Sequence, residues 1–390
     1  MKAIDLFCGC GGISSGLSAA GFEILAGCDV EPSYAVSFSK NFPKAQTILD
    51  DLSVMQPREF AKRLGVRPGE LALVAGGPPC QGFSKNVPKK QRSADSANNQ
   101  LVTTFLDYCE YLRPRAIMME NVAEMKNGFD ATYSAMVATR LENAGYKVRH
   151  AVLNSAEFGV PQRRRRAFFV ATKGCTPELP VRSHFSPEDD EMNLLPHYVS
   201  VWEAIGDLPS LKHGTGISPC EYASEPFSVY QEWARGSASD VRNHVARFLQ
   251  PTQFQRLSSL KPGQGLKDLP PELRTRGGYS GAYGRLTKTM VAPTITRWLF
   301  HPGSGRYGHP VDVRTITIRE AARLQGFPDR FEFEGTFLQQ AGQIGNAVPP
   351  LLAFRVAQAL LRVHTTSSAP AFASKAAKLS WDMRYSAVGS

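Results

Sequence analysis

Short apolar runs alternate with amphipathic stretches over the first 172 residues, and turn residues separate them. Residues 2–7, 22–28, 45–49, 71–75, 116–119 and 146–154 read as strands, and residues 13–20, 32–42, 101–112 and 131–144 carry helical spacing. Gly21, Pro114 and Gly145 stand where those helices stop. Such alternation predicts an α/β fold with a mostly parallel sheet. From about residue 175 to 290 the alternation is lost, and Pro, Gly, Ser, Arg and aromatics dominate. That texture predicts a separate, irregular module. Order returns at Thr317-Ile318-Arg319-Glu320, a capping box whose helix stops at Gly326 with Pro328 behind it. After Pro349-Pro350 an amphipathic helix carries Leu351, Leu352, Phe354, Val356, Leu360 and Leu361 on a face expected to pack on the sheet. Residues from about 364 onward read as a loosely ordered tail.

The strand ends carry the candidate chemistry, because ligands of open α/β sheets lie outside the carboxyl ends of the strands. The first strand runs into Cys8-Gly9-Cys10-Gly11-Gly12 and then a helix, the opening of a nucleotide-binding βαβ unit. Glycines there let a ligand approach the backbone. Asp29, at the end of the second strand, is placed to take both hydroxyls of a ribose. Asp50-Asp51 ends the third strand, with a ligand role and a helix-capping role both open.

The fourth strand leads to Gly76-Gly77-Pro78-Pro79-Cys80-Gln81-Gly82-Phe83-Ser84. Glycines and prolines break the chain sharply and present one thiol, the position of a nucleophile in an α/β enzyme. Residues 85–99 are polar and basic and suit a lid beside it. Glu120 ends the fifth strand, where partial desolvation would let it carry a proton. In Gln162-Arg163-Arg164-Arg165-Arg166, an extended backbone would put Arg164 and Arg166 on one face, and Arg163 and Arg165 on the other. One pair could point into a site while the other holds phosphates.

Composition sharpens this picture modestly. The chain has 390 residues and a net charge of +10, a balance common in enzymes that handle polyanions. Seven cysteines show no disulfide framework, so a reducing cytoplasm is the expected compartment. Cys8-x-Cys10 is too tight for a zinc site and has no second ligand pair, and no metal is expected. No apolar run reaches the length of a membrane span, and no membrane role is expected.

Taken together, six segments resemble the C5-cytosine-specific DNA methyltransferases of bacterial restriction–modification systems. They are Asp5-Leu6-Phe7-Cys8-Gly9-Cys10-Gly11-Gly12, Gly77-Pro78-Pro79-Cys80-Gln81-Gly82-Phe83-Ser84, Glu120-Asn121-Val122, Gln162-Arg163-Arg164-Arg165-Arg166, the run from Arg319 to Pro328, and Gly345-Asn346-Ala347-Val348-Pro349-Pro350. All six stand in the family's order and reach both ends of the chain. The resemblance implies a Rossmann-like methyltransferase sheet with helices on both faces and a smaller target-recognition domain. It implies S-adenosyl-L-methionine as cofactor, held by Phe7, Gly9, Gly11, Gly12, Asp29, Asp51, Pro78, Asn346 and Val348. Cys80 would attack carbon 6 of a flipped cytosine and Glu120 would contact the ring. Arg166 would hold the carbonyl oxygen of the base, with Arg164 in support. Gln81, Ser84, Gln162, Arg163 and Arg165 are the expected DNA contacts.

By the same resemblance, residues 1–182 and 340–364 form the catalytic domain and residues 183–339 the DNA-recognition domain, with sequence reading in about 212–292. Residues 365–390 form the tail. The expected partner is double-stranded DNA, methylated by a monomer, with a cognate restriction endonuclease acting separately. One rival keeps the fold and methylates transfer RNA, but the long segment from 175 to 314 argues for DNA. A catalytically dead homologue would lack Cys80 or Glu120. A nicotinamide-dependent dehydrogenase would explain the glycine turn and Asp29, but neither Pro-Pro-Cys nor the arginine run.

Overall fold

The computed structural model describes residues 1–79, 97–127, 132–189, 195–275 and 281–366. The chain divides into two compact units. The first comprises Met1–Ser155, Arg165–Arg182 and the segment from Val348 onward; the second comprises Ala156–Arg164 and Ser183–Ala347.

The first unit is built on seven strands: β1 (Lys2–Leu6), β2 (Glu23–Asp29), β3 (Gln46–Leu49), β4 (Leu73–Gly76), β5 (Ala116–Val122), β6 (Lys147–Asn154) and β7 (Arg165–Thr172). Their order is β3-β2-β1-β4-β5-β7-β6. Neighbours from β3 to β5 are parallel, and β7 runs against both β5 and β6. The sheet is therefore mostly parallel, as the alternation predicts. Its chain path reverses between β1 and β4. A crevice opens at such a switch point, beyond the carboxyl ends of those two strands.

The helices of this unit are α1 (Gly12–Ala19), α2 (Pro32–Asn41), α3 (Pro57–Leu64), α4 (Ala97–Leu112), α5 (Glu124–Asn127) and α6 (Thr132–Asn143). Phe60 of α3, Phe105 and Leu106 of α4, and Val137 and Leu141 of α6 share one core with Ile4, Leu6, Val74, Ile117, Met119 and Phe169 of the strands. The alternate strand residues face the other way. There Asp5 accepts hydrogen bonds from Ser14 of α1, and Phe38 of α2 fills the space beside Gly27, where a Cβ would lie 2.3 Å from its ring. Helices thus cover both faces.

The amphipathic stretch after Pro349 forms α12 (Pro350–Thr366), the last helix among the described residues. Its partner is α1, which corrects the expectation that its apolar face would meet the sheet. The reason is Gly16: a Cβ there would stand 2.5 Å from Pro350 O and 2.6 Å from Phe354 N. Only a glycine permits so close an approach of two helix backbones.

The second unit, taken by itself, holds α7 (Val201–Ile205), α8 (Val229–Arg235), α9 (Pro251–Ser258), α10 (Ile318–Leu324) and α11 (Phe337–Asn346), joined by loops and isolated bridges. Its irregular texture matches the composition of the segment. α10 opens with the expected capping box, Thr317 bonding the Glu320 amide. α11 opens with another, Thr336 with Gln339, which the sequence reading passed over.

Charged residues tie this unit together alongside its apolar core. Arg323 is buried between Asp207 and Asp329, and Arg314 makes two bonds of 2.8 Å to Glu320. Burial pushes both Asp329 and Glu320 up, but the guanidiniums win: Arg323 holds Asp329 at about 2 and Arg314 holds Glu320 lower still. The stretch Phe337–Arg362 is long and apolar enough to cross a membrane, yet most of its apolar window is buried inside the protein, as in a core helix.

Candidate active site at the switch point of the sheet

Two loops leave the switch point. The first follows β1. Phe7 takes φ 57°, a left-handed conformation that a bulky residue adopts at a cost of about 1–2 kcal/mol. Gly9 and Gly11 follow at φ 56° and 101°, and a Cβ on Gly11 would lie 2.5 Å from the Phe42 ring. Gly12 begins α1, whose N-cap, Gly11, has no side chain to offer. A residue of the strand supplies that cap instead. Asp5 Oδ2 accepts from Ser14 N at 3.0 Å and from Ser14 Oγ at 2.7 Å. Burial pushes the Asp5 carboxyl up to about 7 against the lowering effect of Ser14, and its Oδ1 is buried with no partner. Asp5 was not singled out from the sequence. Its signal was a lone acid inside an apolar strand.

Asp29, at the end of β2, accepts from Gly9 N at 2.8 Å and from Glu31 N at 3.0 Å. Burial raises its pKa, and those amides pull the other way. Asp51, after β3, accepts from Ser53 N at 2.8 Å and Ser53 Oγ at 2.7 Å, a side-chain turn. It caps that local turn; the helix at Pro57 takes Gln56 as its cap. Beside these acids, Val30 is 66% exposed and Leu49 49% exposed. Two large apolar side chains at neighbouring strand ends, flanked by carboxylates, make a slab with polar edges.

The second loop follows β4. Asn121 Nδ2 donates to Pro78 O at 2.9 Å, which pins the loop two residues before Cys80. A Cβ on Gly77 would lie 3.3 Å from Glu120 Oε2 and 3.9 Å from Val348, so the loop passes close to that carboxylate. Cys80, Gln81, Ser84 and the segment 85–96 lie outside the described residues, as do residues 128–131, 190–194, 276–280 and 367–390.

Glu120 sits opposite Phe168 on β7, so the diagonal residue on the same face is Arg166. Arg166 Nε lies 2.9 Å from Glu120 Oε1, and Glu120 is buried. Antiparallel pairing of β5 and β7 brings together two residues that stand far apart in the sequence.

The rest of the arginine run behaves otherwise. The expectation that Arg164 shares a face with Arg166 does not hold. The strand starts only at Arg165, and upstream of it Arg163 N is bonded to Ala292 O. Arg164 is buried and donates to the carbonyls of Ile295 at 3.0 Å, Gly345 at 3.0 Å and Ala347 at 3.1 Å. It positions backbone, and its guanidinium is committed. Gln162, expected to meet DNA, is also buried; its side chain bonds Leu324 O, Ile295 N and Gln325. Arg163 and Arg165 are exposed. Asn346 is exposed at the end of α11 in the second unit, and Val348 is buried in the first.

The buried cysteines are poor nucleophiles. Burial pushes the thiols of Cys8, Cys10 and Cys109 well up and that of Cys28 to about 12. Among the described residues no group of three or more His, Cys, Asp or Glu side chains could hold a metal ion.

A twisted, mostly parallel sheet with a glycine turn, paired acids and a Glu–Arg couple at its strand ends is the architecture of an α/β group-transfer enzyme. Comparison with known proteins gives the family. The family model described as C-5 cytosine-specific DNA methylase matches residues 1–362. The Type II methyltransferase M.AgeI of Thalassovita gelatinovora is 31% identical, over 92% of this chain and 99% of its own length. M1.HphI of Haemophilus parahaemolyticus is 33% identical, over 93% of this chain and 87% of its own. A solved structure from E. coli, described as a prophage-encoded DNA modification methyltransferase, shares the fold with TM-score 0.73 at 24% identity, covering 94% of this chain and 99% of its own. The chain belongs to the C-5 cytosine-specific DNA methylase family, and it is a DNA (cytosine-5)-methyltransferase.

Proposed function

We propose that the protein transfers a methyl group from S-adenosyl-L-methionine to carbon 5 of a cytosine in a short double-stranded DNA sequence, as the modification enzyme of a restriction–modification system acting on cytoplasmic DNA. The observation that carries this reading is the Glu120–Arg166 couple beside a loop pinned two residues before Cys80. An acid that can meet a ring nitrogen and exocyclic amine, next to a cation that can meet a carbonyl oxygen, complements one edge of cytosine.

The cofactor reading rests on the first loop. Asp29 offers carboxylate oxygens for a ribose diol, and Asp51 offers an acceptor for the adenine amine. Val30 and Leu49 offer apolar surface to the purine, while Phe7, Gly9, Gly11, Gly12 and Pro78 let the ligand lie against backbone. Val348, in the same unit and near Gly77, would border the same site. When bound, the cofactor supplies an electrophilic methyl group on a sulfonium. The chain's own residues prepare the acceptor. Carbon 5 of cytosine is a weak nucleophile, and addition of the Cys80 thiolate to carbon 6 gives it enamine character. Glu120 in its acid form would give a proton to ring nitrogen 3 as sulfur adds, and Arg166 would hold the carbonyl oxygen, so no net charge is left on the ring. After transfer the carbon-5 proton leaves to a base and sulfur is expelled, which restores the aromatic ring. The target must first leave the duplex stack, at a cost of a few kcal/mol. Arg163 and Arg165 would take phosphates, and Gln81 and Ser84 would also contact the DNA. Arg164 and Gln162 act by holding backbone.

Bisulfite sequencing of DNA from cells that express the chain, beside a Cys80→Ser control, tests this reading. Methylated cytosines in one short motif, absent from the control, are expected. Folded protein that binds S-adenosyl-L-methionine but marks no motif would transfer the proposal to transfer RNA.

A further inference from the structure

The second unit carries a surface feature that reaches beyond residue 292, the end of the segment in which sequence reading is expected. Arg297 places its guanidinium 4.6 Å from the Trp298 ring centroid, Trp298 meets Phe300 at 5.6 Å between centroids, and Arg247 stands 5.7 Å from Phe300. Cation, ring, ring and cation follow one another in one cluster, the two rings tilted by 53°. Trp298 is 46% exposed, and Phe248, the neighbour of Arg247, is 61% exposed. A tryptophan is a costly residue to leave in water, and this one has a charged neighbour on only one side of its stack. The backbone beneath is held rigidly: a Cβ on Gly345 would stand 2.0 Å from Arg297 N, so the chain at Thr296 and Arg297 packs directly against that glycine.

Charge points to the occupant. Residues 241–306 contain eleven Lys and Arg against two acids, whereas residues 183–240 contain ten acids against two Lys and Arg. The stack lies wholly in the basic segment. Many cations of that segment are spent on structure: Arg285 and Arg306 bond backbone carbonyls, and Arg242 bonds Asp240 and Glu332. Arg247 faces Phe300 and is partly buried, whereas Arg297 is exposed over the Trp298 ring and available to an anion. An exposed indole beside a guanidinium suits a partner that is flat, apolar and flanked by negative charge. A protein surface seldom offers that combination, and an unstacked nucleotide always does.

We propose that the Arg297–Trp298–Phe300–Arg247 cluster is a nucleic-acid contact surface, on which Trp298 takes the face of an unstacked base while the exposed Arg297 guanidinium takes a flanking phosphate. This rests on the DNA-methylating reading and adds a platform that holds opened nucleotides without reading their identity. Base stacking of this kind tolerates any sequence, because every base has a π-face.

The probe is fluorescently labelled oligo(dC), which presents unstacked bases without knowledge of the target site. Its affinity for the full chain is measured over a range of salt, for wild type, Trp298→Phe, Trp298→Ala and Arg297→Gln. Trp298→Ala is expected to bind about tenfold more weakly, and Trp298→Phe to bind within about threefold of wild type. Arg297→Gln is expected to flatten the salt dependence by about one phosphate contact. Tryptophan fluorescence of the wild type should be quenched by the oligonucleotide, and that quenching should be lost in Trp298→Phe. Methylation of plasmid DNA by the wild type is scored alongside. Oligo(dC) affinity unchanged in Trp298→Ala, with plasmid methylation intact in the wild type, overturns the platform alone. No plasmid methylation by the wild type overturns the functional reading, and the platform with it. Circular dichroism of each variant distinguishes lost contact from lost folding, and the Trp298→Phe rescue decides the matter if the alanine variant unfolds.

Discussion

Arg166 and Glu120 face each other across the β5–β7 pair, Nε to Oε1 at 2.9 Å, and Glu120 is buried. A buried carboxylate needs a partner, and Arg166 provides it without using all its donors. The couple is therefore held in register before any base arrives.

Glu120→Gln removes the charge and keeps the shape. Methyl transfer, measured with labelled S-adenosyl-L-methionine on plasmid DNA, is expected to fall by about 10²–10³-fold, the usual effect of deleting one preorganised stabilising group. Activity within about threefold of wild type would remove Glu120 from the chemistry.

Arg164 and Arg163 are neighbours with opposite burdens. Arg164→Met leaves the Ile295, Gly345 and Ala347 carbonyls without their donor, and stability should fall by roughly 2–4 kcal/mol in urea titration. Arg163→Ala changes an exposed side chain and should stay within about 0.5 kcal/mol of wild type. Equal losses would show that burial is not the distinction.

Gly16 is the contact point of α1 and α12. The Pro350 O and Phe354 N atoms that would crowd a new methyl group are backbone and cannot rotate away. Gly16→Ala, despite its better helix propensity, should destabilise by about 1–3 kcal/mol. A raised unfolding midpoint would contradict the close approach.

Asp5 gives a pH signature. Its folded pKa, pushed up to about 7 by burial, lies far above the ordinary aspartate value of about 3.9, so the folded state binds the extra proton between those values. The contribution of Asp5 is fully present below about pH 4 and is lost as pH rises toward 7. Asp5→Asn should show a shallower decline in stability over that window, followed by chemical denaturation at several pH values. Identical slopes would mean that the carboxyl titrates normally.

The sequence alone determined the alternation of strands and helices, the α10 capping box and the acids at the strand ends, because each depends on spacing within a few residues. Six ordered segments likewise marked the family. The partnerships were beyond it. That Glu120 meets Arg166 follows from the antiparallel register of β7, the strand that breaks the parallel pattern. That Arg164 and Gln162 face backbone rather than DNA follows from where β7 begins, a boundary set by hydrogen bonds to distant segments. Asp5 became a helix cap only when α1 folded onto β1, and Gly16 mattered only when α12 reached it. Within an element a local pattern fixes which face a side chain takes; where the element begins, and what the side chain meets, are decided by parts of the chain that tertiary packing brings alongside.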